Sequence, residues 1–286
     1  MFYLSQWALG QAKHIVEFSR PHNDEVKPRP TTPKGTGYVR GLNLIHTVAP
    51  EKAANFESVA MGKVDTSAAL ALQKLLSTSP TPWEPKLQRA WSVFLVSVLL
   101  RNPETLHTII SILETGTGEG TEESRKLFDL YKRPGETTFE DFLKREGRHA
   151  GFLAILKILN TQIAEHMDTM LWSVINLARA RQRLMTSDRP LIIRDGIGQP
   201  TCYLIIPISP TKIFVAVNQR CVLQDIQRLS HDELADSVNF TVVGNAFKYV
   251  WDLDDIRLQF VQDNMSRTAI RDYAFVSNFV NTPSTV

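Results

Sequence analysis

Between Pro190 and Val217 three short apolar runs, PLIIR, YLII and IFVAV, are separated by Gly196-Ile197-Gly198-Gln199-Pro200 and by Ser209-Pro210-Thr211-Lys212. Runs of four or five apolar residues are too short for a helix that buries one face, and the glycines and prolines between them make turns. Residues 186–218 are therefore predicted to form a three-stranded antiparallel meander. A meander cannot bury its face alone, so the rest of the chain has to supply a packing layer.

Residues 49–183 supply it, because there the apolar residues recur at helical steps. Phe56, Val59, Ala60, Val64, Ala68, Leu72 and Leu75 mark a helix over 50–76. Thr81 as N-cap, Pro82 at the first helical position and Glu84 in a capping box start the next, which runs to Leu100. Asn102-Pro103-Glu104 starts a third, to Leu113, and the loop TGTGEGT leads to a short helix over 122–132. Thr138-x-x-Asp141 caps a long one, whose spacing through Leu156, Leu159, Ile163, Met167, Leu171 and Ile175 predicts helix to about Arg183.

The amino-terminal 1–48 returns to strand chemistry. Residues 2–8 and 14–19 (HIVEFS) read as a hairpin about Gly10–Lys13, with Phe2 and Leu4 on one side of the first strand and Tyr3 on the other. Pro21 to Gly37 holds four prolines, which predicts a long surface loop, a candidate lid, before a strand at Tyr38–Ile45. In 230–286, Ser230-x-x-Glu233 caps a helix to roughly Trp251. Strands at both ends around a helical block predict a single α+β domain, with an antiparallel or mixed sheet beside mostly helical layers.

Composition narrows the function. With 32 basic and 30 acidic residues and a net charge of +2, the chain lacks the overall positive field of a dedicated nucleic-acid binder, so such binding would need a local patch. The run WSVFLVSVLL, 91–100, is too short for a bilayer and reads as a buried helix. The start has no signal-peptide pattern, Ser5, Gln6, Gly10 and Gln11 interrupting it. Cys202 and Cys221 read as buried thiols in a reducing, cytoplasmic compartment.

Few motifs carry chemistry. TGTGEG is surrounded by glutamates and followed by no GK[ST], so it reads as an interhelix loop and not a phosphate cradle. Glu104-x-x-His107 and Glu146-x-x-His149, with Glu57 and Glu165, match the pairs of carboxylate-bridged metal bundles. Glu104 equally suits a helix amino terminus, and no metal or cofactor is assigned. His231-Asp232 falls inside the Ser230 capping box, which accounts for it.

The stretch ARARQRLMTSDRPLIIR, 178–194, stands out. It gathers Arg179, Arg181, Arg183, Arg189 and Arg194 around Asp188. Cations at a helix carboxy terminus and an aspartate bonding its own turn give a structural account. Arginine forks for phosphate oxygens give a functional one.

Phe2-Tyr3-Leu4-x-x-Trp7-Ala8, Arg101-x-Pro103, Thr186-Ser187-Asp188-Arg189-Pro190-Leu191-Ile192 and Pro207-x-Ser209-Pro210 occur in that order. The order resembles the largely bacterial family known as domain of unknown function 4238. Asn239 and Tyr249-Val250, in the last long helix, are similar to its closing motif, so the resemblance covers nearly the whole chain. The family usually opens with His-His-x-Val-Pro-x before Phe-Tyr-Leu. That element is lacking here, through a late start or a shortened chain, and with it any activity that relies on those histidines. The resemblance implies no established reaction; by analogy it suggests a link to bacterial defence or mobile elements.

Two function classes follow. One is an interaction protein whose arginine-rich turn and proline loop bind a partner, a nucleic acid or another phosphate-bearing ligand, with Asp188 only structural and Arg101, Arg183, Arg189, Glu57 and Asn239 as candidate binding residues. The other is an enzyme on such a substrate, metal-dependent or not, with Asp188 as acid, base or metal carboxylate.

Overall fold

The structure, a computed structural model, describes residues 2–8, 13–21, 24–36, 62–77, 83–100, 138 and 163–266. The chain does not start with a strand: Leu4–Trp7 is one turn of 3-10 helix. The Phe2 carbonyl accepts Ser5 Oγ and Gln6 Nε2, which curls the backbone back on itself. Tyr3 and Trp7 are both buried by it.

The strand β1, Ile15–Ser19, consequently pairs elsewhere. Its hairpin partner is β2, Lys27–Thr31, in the proline-rich segment expected to be loop, with Ile15 opposite Thr31 and Ser19 opposite Lys27. Pro28 and Pro30 are tolerated because β2 is an edge strand, where missing N–H donors leave no ladder bond broken. The loop that follows is tied down: Thr36 Oγ1 donates to the buried Glu17 carboxylate and accepts Trp251 Nε1, and Arg29 Nη2 pairs with Glu17 at 2.9 Å.

Two helices follow, α1 over Gly62–Leu76 and α2 over Pro85–Leu100. The proline in the first turn of α2 is Pro85, and the Glu84 carbonyl accepts Leu87 N and Gln88 N; the expected start at Thr81-Pro82 lies outside the described residues. The expected helix ends, strands and loops at 38–61 and 101–137, and the E-x-x-H pairs at 104–107 and 146–149, lie outside the described residues.

Residues 163–169 are helical, and there the long predicted helix stops. Leu171–Asn176 is instead the strand β3, which pairs along its whole length with β7, Lys212–Val217. Between them come β4, Thr186–Ser187, β5, Ile192–Arg194, and β6, Tyr203–Ser209. The meander is present as β5-β6-β7. After it come α3, Arg220–Arg228, α4, His231–Asn245, β8, Val250–Asp252, and α5, Leu258–Asn264. The Ser230–Glu233 capping box starts α4, but the helix ends at Asn245, so Tyr249 and Val250 are not helical.

The fold is α+β, and the described residues form two antiparallel four-stranded sheets, ordered β2-β1-β8-β4 and β3-β7-β6-β5. Amino-terminal and carboxy-terminal strands do share a sheet, while the meander builds a second. On β6 and β7, Leu204, Ile206, Phe214 and Ala216 face a core with α1, α2, Tyr3 and Trp7. Ile205, Ile213, Val215 and Val217 face a second core closed by α3 and α4. A strand covered on both faces reads as a continuous apolar run, which is why these were visible in the sequence. The carboxy-terminal half of α4 also packs, with α5, on Phe18 and Val250 of the first sheet. Helix α4 thus bridges the backs of both sheets.

Candidate functional site

The arginines of 178–183 sit in the connection between β3 and β4, which holds no helix. The helix-terminus account of their charge therefore falls away. Leu177, Ala180 and Leu184 are buried in the core beneath α4, and Arg179, Arg181, Gln182 and Arg183 between them are exposed.

The loop backbone is fixed at each anchor. Leu177 N donates to Thr211 O at 2.7 Å and Leu184 N to Pro210 O at 2.8 Å. The Leu184 carbonyl accepts Trp7 Nε1 at 2.7 Å. Asn239, 1% exposed on α4, donates Nδ2 to the Arg183 carbonyl and accepts Met185 N on Oδ1, at 2.9 and 2.8 Å. Arg257 adds Nη1 to the same Arg183 carbonyl at 2.7 Å while its Nε and Nη2 hold Asp252.

Asp232 has the role that sequence inspection missed. Its carboxylate accepts Arg181 N and Arg181 Nε, at 2.7 and 2.8 Å, and these bonds hold its carboxyl below the usual range. The fold-level pairing of residues 51 positions apart could not be read from the chain. Arg181 is thereby ion-paired, whereas the guanidinium groups of Arg179 and Arg183 have no partner among the described residues.

Asp188 closes the next corner. It does not bond its own turn; that bond is made by Ser187 Oγ, which accepts Arg189 N at 3.2 Å. The Asp188 carboxylate instead accepts Phe247 N, Lys248 N and Tyr249 N, at 2.9, 2.7 and 3.2 Å. Burial pushes its carboxyl up, against the pull of those three N–H groups and of Arg189. The Arg189 guanidinium lies 5.0 Å from the Phe247 ring centroid, and Lys248 Nζ lies 5.0 Å from that of Tyr249.

Of the candidate residues, the structure thus joins Arg183 to Asn239 directly and places Asp188 and Arg189 at the far end of the same segment. Arg101 and Glu57 lie outside the described residues. Among the described residues no group of three or more His, Cys, Asp or Glu side chains could hold a metal ion, and no helix is long and apolar enough to cross a membrane. Cys202 is buried as expected, and Cys221, contrary to expectation, is exposed because it stands on the outer side of α3.

The sequence motifs that were dispersed along the chain interlock around 184–190. Tyr3 Oη donates to Pro207 O at 2.6 Å and lies 2.8 Å from Thr186 Oγ1. Trp7 reaches Leu184, Asn239 reaches Met185, and Asp188 N donates to Tyr249 O at 3.0 Å. Neither a curated protein nor a solved structure matches the chain. The family model described as Protein of unknown function (DUF4238) matches residues 1–255, and the chain belongs to that family.

Proposed function

We propose that the protein is a binding protein for a phosphate-bearing ligand, which it recognises with the arginine loop 178–183. The observation that carries this is the contrast within the loop: a backbone held by Thr211, Pro210, Asn239, Arg257 and Asp232, and the exposed Arg179 and Arg183 side chains upon it. A loop already fixed loses little entropy on binding, and arginine forks match phosphate oxygens. Asp188, past β4, ties the end of the same segment to Phe247, Lys248 and Tyr249 through their backbone N–H groups and, in this reading, touches no ligand. Both cysteines are free thiols, the state that a reducing bacterial cytoplasm maintains, and we place the protein there.

The test is titration calorimetry with inorganic polyphosphate at two salt concentrations. Wild type should bind, more weakly at higher salt. The double variant Arg179→Ala/Arg183→Ala should bind about tenfold or more weakly, a loss of about 1.4 kcal/mol or more, with its melting temperature unchanged. Absence of binding, or equal binding by the double variant, would overturn the reading.

A further inference from the structure

Phe240 and Phe247 are the two exposed aromatic side chains among the described residues, at 61% and 47%. They lie seven residues apart, on the second half of α4 and just past its end. Phe240 follows in sequence, and Phe247 bonds through its backbone, a residue tied to the arginine-bearing segment. Asn239, the neighbour of Phe240, holds the Arg183 carbonyl, and the Phe247 N–H is bonded to Asp188. Arg183 and Arg189 are six positions apart, so the two ends of the segment are at most about 22 Å apart.

A simple anion site needs no aromatic surface. Large aromatic rings left in water are unfavourable, and here they alternate with cations: Arg189 over Phe247 and Lys248 over Tyr249. The Phe247 ring keeps about half its surface open although Arg189 is stacked upon it. Asp188 holds the backbone of Phe247, Lys248 and Tyr249, so the ring rises from a fixed stretch of main chain with Arg189 beside it. Cations beside exposed aromatic rings on a held backbone are the arrangement that takes phosphates and unpaired bases together.

We propose that this arrangement binds single-stranded nucleic acid, with phosphates on Arg179, Arg183 and Lys248 and a base stacked on Phe247. The proposal rests on the anion-binding reading above and names its ligand. A duplex keeps its base faces stacked inside and offers none to Phe247. An acidic peptide offers charge without a flat ring.

The experiment compares four probes by competition against a fluorescent single-stranded oligonucleotide: that strand unlabelled, its duplex, inorganic polyphosphate and a polyglutamate peptide. Wild type should bind the single strand about tenfold or more tightly than any of the others. Phe247→Ala should remove that advantage, Phe247→Trp should retain it, and Arg179→Ala/Arg183→Ala should weaken binding of every phosphate-bearing probe. Equal binding of the single strand and polyphosphate, unaffected by Phe247→Ala, overturns this inference and leaves the anion-binding reading standing. Tighter binding of the peptide overturns both, as does binding of no probe.

Discussion

Arg183 is held by its carbonyl, which accepts Nδ2 of the buried Asn239 at 2.9 Å, while its side chain faces solvent. The residue that anchors and the residue that presents charge are thus separate, and each can be removed without the other. Removing the charge should cost binding alone, whereas removing the anchor should cost stability and, through the loosened loop, binding as well.

Asn239→Ala should lower stability by about 2 kcal/mol. The Met185 N–H would be left buried without its acceptor, whereas the Arg183 carbonyl would keep Arg257. Urea denaturation checks the loss, and polyphosphate affinity should fall with it although Asn239 is buried beneath the loop. A change below about 0.5 kcal/mol would show that the amide does not hold the loop.

Asp188→Asn should cost about 1–3 kcal/mol, because an amide NH2 would face one of the three N–H donors now bonded to the carboxylate. The dependence on pH has a definite sign. Burial raises the folded-state carboxyl above its ordinary 3.8, so the folded protein takes up this proton before the unfolded chain does. The stability linked to that proton is fully present below 3.8 and is lost as pH rises through the raised value. The asparagine does not titrate. The gap between wild type and variant, followed by urea denaturation, should therefore widen on acidification from neutrality, and a narrowing gap would show that the three N–H bonds outweigh burial.

The amino-terminal turn should be indispensable. Trp7 is fully buried and bonded to Leu184 O, so Trp7→Ala should cost about 3–5 kcal/mol. Tyr3→Phe keeps the ring against Trp7 and Phe94 but removes the hydroxyl bonded to Pro207 and Thr186, at about 1–2 kcal/mol. A chain lacking residues 2–8 that melts with wild type would refute the assignment of this turn to the core.

The two thiols should separate in alkylation. Cys221 is exposed, and Cys202 is buried with its thiol pushed up to about 11, first by burial and then by Asp195. Iodoacetamide at about pH 8 should add a single group, on Cys221, until denaturant opens the core. Peptide mass mapping distinguishes this from modification of both.

What could be read from the chain was local. The meander announced itself through turn residues beside doubly covered strands, and the Ser230–Glu233 box lies within four residues. The strand LWSVIN was hidden because Met167, Leu171 and Ile175 continue a four-residue step; pairing with β7, some forty residues on, decides its conformation. The three residues of β8 are too few to show any period and depend on Val16, Glu17 and Phe18 for their pairing. The arginines of the candidate loop were plain as composition, but their supports were not. Asn239 and Asp188 each act on backbone more than fifty positions away, and backbone partners leave no trace in residue type.

Arg181 and Arg183, two positions apart and both exposed, should differ as ligands. The Arg181 side chain is 84% exposed yet already ion-paired with Asp232 at 2.8 Å. Binding a phosphate there would mean giving up that partner or seating the anion next to a carboxylate. Arg183 faces neither cost. Arg181→Ala should therefore weaken polyphosphate binding by less than about threefold and, as loss of an exposed pair, change stability by less than about 1 kcal/mol. Arg183→Ala should cost about tenfold in affinity at the same salt concentration. If Asp232 is what silences Arg181, Asp232→Asn should raise polyphosphate affinity by freeing that charge, and an unchanged or lower affinity would place the anion away from this end of the loop.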